Sequence, residues 1–205
     1  MPSQQNLPAD SAPAPQLRPS RSAAVAIALG ALCLTFLLAM ITSKANAYNI
    51  SLFVMVSAVL GATLVVLSVI DVEHLRLPNA MTLPLIAAGL LHTYIAEATA
   101  LASHAAAAAA GYISLGIIDW LYRHLRGMSG IGLGDAKLFA ASGAWLGLVA
   151  LPSVLMLAAT LGLALAAALY FSGANLSART RLPFGPCLAM GFWIVWLWGP
   201  LESWL

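Results

Sequence analysis

Charged residues are scarce in this sequence. Only 8% of its 205 residues are Asp, Glu, Lys or Arg, whereas 61% are hydrophobic. Soluble domains carry about 25% charged residues, so the composition excludes an ordinary soluble protein and predicts an integral membrane protein whose first partner is the lipid bilayer. The net charge of +2 comes with no basic cluster that could hold a phosphate backbone, and we expect no nucleic-acid partner.

Cysteine is almost absent as well. The two cysteines, Cys33 and Cys187, each lie inside an apolar run, which supports neither a disulfide framework nor a cysteine-based zinc site. A zinc site built on His92 and His104 would need further convergent ligands, so we expect these histidines to be packing or interfacial residues. The sequence therefore predicts no metal site.

Long apolar runs, in contrast, are abundant. A helix needs roughly 20 residues to cross a bilayer, with a range of about 17–25. Apolar runs occur at about residues 22–42, 50–70, 80–96, 102–122, 136–150, 152–171 and 186–204. They predict an all-α polytopic membrane bundle of about seven transmembrane helices, in which the fifth run is shorter than the usual range.

The amino-terminal region has two parts. Residues 1–20 contain several prolines and serines without apolar periodicity, which predicts a disordered cytoplasmic tail. The run at 22–42 follows Arg21 like a secretory signal, but it is longer than the roughly 7–15 apolar residues of such a signal. We expect it to be retained as the first helix of a single membrane-embedded domain over residues 21–205.

The basic residues indicate the orientation in the membrane. With the amino terminus in the cytoplasm and the carboxyl terminus outside, eight of the nine Lys and Arg residues fall in cytoplasmic segments and only Lys44 lies outside. This distribution obeys the positive-inside rule. The same topology places Asp71 and Asp135 together at the cytoplasmic face.

Asp71 and Asp135 are the candidate catalytic residues. Asp71 ends the second apolar run, and Asp135 begins the fifth directly after Gly132-Leu133-Gly134. A carboxylate at the edge of a membrane segment is costly unless it is solvated or paired. Glycines allow another backbone or a substrate to come close, so we expect Gly132 and Gly134 to shape the site. Two converging aspartates suggest an aspartyl protease, with one carboxyl ionised and the other protonated.

Simpler interpretations exist for both aspartates. Asp71 could belong to a solvated polar loop, and Asp135 could be the N-cap of a helix. If they form a pair, Asp135 at a helix N-terminus is favoured as the anion and Asp71 at a helix C-terminus is disfavoured. The sequence therefore suggests Asp135 as the base and Asp71 as the acid of a coupled pair.

Several motifs occur together on this predicted face. They are Ile70-Asp71, Leu77-Pro78-Asn79, Leu83-Pro84-Leu85, Gly132-Leu133-Gly134-Asp135-Ala136-Lys137-Leu138, Gly143-Ala144-Trp145-Leu146-Gly147 and Leu182-Pro183-Phe184-Gly185-Pro186. In this order they resemble the type IV prepilin peptidases, which are membrane aspartyl proteases of the Gly-x-Gly-Asp class. The resemblance covers roughly residues 60–195.

The resemblance implies a function and a location. It implies that Asp71 and Asp135 are the catalytic pair and that no metal or cofactor takes part. The implied substrates are type IV prepilins or type II secretion pseudopilins, whose basic leader is cut before a hydrophobic helix. The implied location is the bacterial inner membrane, with the active site facing the cytoplasm.

One feature departs from the family pattern. Full-length bacterial members carry paired Cys-x-x-Cys motifs in a cytoplasmic region that is associated with N-methylation, and this sequence has no such motif. We therefore expect a short form with peptidase activity and without N-methyltransferase activity. The sequence does not determine the oligomeric state.

Two other classes of function compete with the protease. A small proton- or cation-coupled transporter would also use membrane aspartates, and such proteins often show internal repeats and broken helices near the midplane. We find no convincing repeat, and both aspartates lie at the ends of the apolar runs and not in their centres. A non-catalytic assembly subunit of a pilus or secretion machine would not need both aspartates.

Three smaller predictions concern other residues. Asp119 and Arg123 are four residues apart near a helix end, which predicts a structural ion pair. Lys137, two residues after Asp135, either lowers the pKa of that carboxyl or anchors its helix in the lipid headgroups. The last 13 residues contain four tryptophans, for which we expect a position at the membrane interface, namely Trp193, Trp196, Trp198 and Trp204.

Overall fold

The apolar runs fold into α-helices. A computed structural model describes residues 47–126, 132–171 and 183–204. The helices there are α1 (Ala47–His74), α2 (Asn79–Ala96), α3 (Leu101–Arg126), α4 (Leu133–Leu146), α5 (Ala150–Phe171) and α6 (Gly185–Trp198), with short 3₁₀ turns at Ala98–Ala100 and Leu201–Trp204. No strand occurs in these ranges, and the predicted all-α class is confirmed.

Four of these helices are long and apolar enough to cross a membrane. The candidate spans are Leu52–His74, Asn79–Ala96, Ala98–Leu125 and Ala150–Phe171. The protein is therefore a multi-pass membrane protein. The predicted tail and the predicted span at 22–42 lie outside the described residues, so the count of seven spans and the N-in, C-out orientation stay predictions.

The two short helices, α4 and α6, form the centre of the bundle. Helix α4 has 14 residues and is buried over most of its length between α2 and α3. Helix α6 packs against α1 and α5, and it also contacts α4. At about 1.5 Å per residue, 14 residues reach roughly 21 Å, less than the hydrocarbon thickness. The longer helices therefore surround a core that is made of two short ones.

Close packing in the centre depends on small residues. A Cβ at Gly143 of α4 would lie 2.6 Å from the Ala107 carbonyl oxygen of α3, and one at Gly111 would lie 2.9 Å from the Phe139 carbonyl oxygen. Real Cβ atoms do not come that near to backbone oxygens, so these glycines set the α3–α4 distance.

The predicted boundary of the fifth helix was wrong. The apolar run indicated residues 136–150, whereas α4 covers Leu133–Leu146. Gly147 ends the helix in a left-handed conformation with φ +80°, and its N–H donates to the Gly143 carbonyl at 2.9 Å. Hydropathy cannot locate this stop, because the residues on both sides of Gly147 are equally apolar.

An aromatic cluster, Phe53, His92, Trp145 and Trp196, joins four helices at the opposite end of α1 from Asp71. Trp196 stacks on Phe53, Trp145 stacks on His92, and the two indoles meet edge to face. Trp193 is also buried, with 2% of its surface exposed. The burial of Trp193 contradicts the expected anchoring role for that residue. Trp196 is only partly buried, and its expected position at the membrane interface stays a prediction.

Candidate active site

Asp71 lies in the last turn of α1 and is almost completely buried, with 6% of its surface exposed. The helix ends at His74, and Leu75 takes a left-handed φ of 51° while its N–H donates to the Asp71 carbonyl. This tight turn leads directly into α2. Asp71 is therefore part of the packed bundle, and the alternative of a solvated loop residue does not describe it.

The start of α6 meets the Asp71 carboxyl. The Gly185 N–H donates to Asp71 Oδ2 at 2.9 Å, in a buried contact between residues 114 positions apart. Pro186 occupies the first turn, where its fixed φ suits the start of a helix. The C-terminus of its own helix predicts Asp71 as the protonated acid. The structure adds a helix N-terminus that faces the same carboxyl.

Asp135 lies in the first turn of α4 and is 8% exposed. The simpler interpretation of Asp135 as the N-cap does not hold, because Gly132 occupies that position. Instead the Asp135 carboxyl accepts a hydrogen bond from the Gly132 backbone N–H, as an acidic third residue does in a capping box. This hydrogen bond turns the carboxyl back towards the helix start.

The two carboxyls lie near each other. The charge of Asp71 interacts electrostatically with the Asp135 carboxyl, and the thiol of Cys187 interacts with the charges of both aspartates. Cys187 is buried two residues after Gly185. The ends of α1, α4 and α6 thus bring together two buried carboxyls that are 64 positions apart in the sequence.

The two predicted site-shaping glycines differ in their surroundings. A Cβ at Gly134 would lie 2.9 Å from Leu77 Cβ, so only glycine allows α4 to touch the α1–α2 turn. A Cβ at Gly132 would lie 3.5 Å from Asp135 Oδ2, which is an ordinary contact. Of the two glycines, only Gly134 stands where a side chain would clash with a neighbouring residue.

Lys137 is directed at α2. Its Nζ donates to Asn79 Oδ1 at 2.5 Å, which links α4 to the first turn of α2. The N-cap position of α2 is Pro78, and no side chain caps that helix end. The contact gives Lys137 a role in holding the two helices together, which neither of the two alternatives from the sequence included.

The remaining polar predictions concern residues apart from the carboxyl pair. Asp119 and Arg123 form the predicted ion pair within α3. His104 Nδ1 lies 3.0 Å from the Ala144 carbonyl oxygen and 3.2 Å from Thr93 Oγ1, while His92 belongs to the aromatic cluster. The packing role of both histidines is confirmed.

Within the described ranges, no group of three or more His, Cys, Asp and Glu side chains is arranged to hold a metal ion.

Cys187 and the Gly185 N–H were not predicted as neighbours of Asp71. Gly185 lies in a quoted motif, but nothing in a sequence shows where a backbone N–H points.

The comparison with protein families decides the classification. The model of the type IV leader peptidase family matches residues 58–167, more than half of the chain. The chain belongs to this family. The match includes Asp71 and Asp135, and it confirms the resemblance that the motifs indicated.

Several relatives share one name with each other. The chain is 41% identical over 136 residues to "Prepilin leader peptidase/N-methyltransferase" of Aeromonas hydrophila, covering 66% of the chain and 47% of that protein. Similarly named proteins of Xanthomonas campestris and Pseudomonas putida are each 39% identical, over 69% and 74% of the chain and 49% and 52% of their own lengths. The chain thus spans about half the length of these relatives. No solved structure matches it.

Proposed function

We propose that the protein is a membrane aspartyl endopeptidase that removes the basic leader from type IV prepilins or type II secretion pseudopilins. The observation that carries the proposal is the pair of buried carboxyls, Asp71 and Asp135, at one end of the bundle. Membership of the leader peptidase family and the names of the relatives support the substrate class. The proposal does not extend to the N-methyltransferase activity in those names.

The chemistry needs only the two carboxyls and water. The ionised carboxylate removes a proton from water, and the oxygen of that water attacks the scissile carbonyl carbon. The protonated carboxyl then supplies a proton to the leaving nitrogen as the C–N bond breaks. Buried neighbouring carboxyls suit this reaction because they cannot both ionise freely and so share one proton. The low-polarity surroundings also strengthen the interaction with developing charge.

The proposed location is the bacterial inner membrane, with the pair facing the cytoplasm. Lys137 lies two residues after Asp135 in α4, and Arg123 lies near the end of α3 that precedes α4 in the chain, which agrees with the positive-inside rule. A substrate with a basic leader and a hydrophobic helix would then present its cut site where the membrane helix begins.

Cleavage of a prepilin-like substrate tests the proposal. The purified protein is incubated in detergent with a peptide that carries a basic leader and an apolar helix. Wild type should cut at the junction, while Asp71→Ala and Asp135→Ala should not. Glu73→Gln is the matched control, since it removes a carboxylate two residues from Asp71 and should cut normally. Cleavage by both alanine variants, or an aspartate-dependent ion flux without cleavage, would contradict it.

A further inference from the structure

The start of α6 is built around the Asp71 side chain. Buried backbone N–H groups at a helix N-terminus need an acceptor, because no earlier turn supplies one. Pro186 has no N–H, and the Leu188 N–H donates to the Phe184 carbonyl at 3.0 Å. The Gly185 N–H donates instead to Asp71 Oδ2.

The contact is too close for any side chain at position 185. A Cβ there would lie 2.5 Å from Asp71 Oδ2, 2.8 Å from its Cγ and 3.1 Å from its Cβ. The neighbouring carboxyl cannot swing away freely, because Asp71 is enclosed at the helix ends. The absence of a side chain at Gly185 therefore brings the N–H against the carboxylate.

We propose that Gly185 is a positioning residue, whose backbone N–H fixes the Asp71 carboxyl by binding Oδ2 and leaves Oδ1 to act in the reaction. The inference rests on the proposed function, since it concerns the same carboxyl pair. A fixed carboxyl meets water and substrate in one orientation, and loss of such alignment by about 1 Å can cost roughly 10²-fold in rate.

A stability cycle tests the contact without any assay of cleavage. Gly185→Ala should lower the melting temperature of the full chain in detergent, and it should do so much less in an Asp71→Ala background, where the clashing atoms are gone. Gly162→Ala is the control, because its Cβ would lie 3.7 Å from the Phe184 ring and 3.9 Å from Cys187 Sγ. An equal loss of melting temperature from Gly185→Ala in both backgrounds would overturn the proposed contact.

A pH–rate profile of Gly185→Ala tests the positioning role. The titratable groups near Asp71 include Asp135 and the thiol of Cys187. Cleavage should fall at least about tenfold per folded molecule, and the pH–rate profile should shift to higher pH, because a carboxyl of the coupled pair that loses a donor holds its proton more strongly. A rate lowered by the same factor at every pH would reduce Gly185 to a structural residue.

The two proposals fail separately. If wild type does not cleave prepilin-like substrates, the proposed function falls while the stability cycle still measures the Gly185–Asp71 contact. If wild type cleaves and Gly185→Ala cleaves equally well with an unchanged profile, the positioning role falls and the carboxyl pair stands.

Discussion

At the scale of single residues, the site depends on which atoms lie beside each carboxyl. Asp71 receives an N–H from the start of α6, and Asp135 receives one from the start of its own helix. Both aspartates could be selected from the sequence, because they stand at the ends of apolar runs and match a family motif. The donor to Asp71 could not, since it is a backbone group 114 positions away.

Lys137 gives a prediction at this scale. The Lys137 Nζ donates a hydrogen bond to Asn79 Oδ1 and is directed at α2. Because the ammonium group is engaged there, Lys137→Met should leave the pH–rate profile of cleavage unchanged. The exposed link should contribute no more than about 1 kcal/mol, which a double-mutant cycle with Asn79→Ala would measure in unfolding experiments. A shifted profile in Lys137→Met would show that the ammonium acts on Asp135.

At the scale of helices, the sequence predicts the elements well and their ends poorly. Six of the seven predicted spans correspond to described helices, since apolar runs are unambiguous in a membrane protein. The stop of α4 at Gly147 depends on one backbone conformation. The position of α6 depends on packing, and for this reason Trp193 lies inside the bundle where composition suggested the interface.

The glycine contacts between helices lead to a prediction about stability. Gly143→Ala should destabilise the protein by about 1–3 kcal/mol, because its Cβ would meet the α3 backbone and overpacking costs this much. Reversible unfolding in mixed detergent would measure the loss. Gly116→Ala is the matched control in α3, since its Cβ would meet nothing within 4 Å. Equal stability of the two variants would contradict the tight α3–α4 contact.

At the scale of the whole molecule, the distribution of basic residues predicts the orientation in the membrane. We predict that a cysteine at Glu73, near Asp71, is labelled by a membrane-impermeant thiol reagent only after the inner membrane is opened. A cysteine at Glu97, at the other end of α2, should be labelled in intact spheroplasts. A Cys33→Ser, Cys187→Ser background removes the native thiols. The reverse pattern would place the carboxyl pair outside the cytoplasm.

The sequence predicts where each aspartate lies along the chain, but it does not predict the helix packing that brings the two carboxyls together. Hydropathy places both aspartates on one face, but their approach requires α4 and α6 to be short, central and in contact. Small residues allow the two short helices to pack closely against the longer ones. Gly143 lets α4 approach α3, and Gly191 lets α6 approach α5, since a Cβ at Gly191 would lie 2.7 Å from the Val154 carbonyl oxygen. Spacing alone does not show which helix each glycine faces.

The central claim is that Asp71 and Asp135 act as one unit. The most direct measurement is the cleavage rate of Asp71→Asn, Asp135→Asn and the double variant under single-turnover conditions, with folding checked by melting temperature. Each single variant should lose about 10³-fold or more, and the double variant should be no slower than the singles, because residues of one catalytic unit are strongly non-additive. Small losses that multiply in the double variant would contradict a shared catalytic pair.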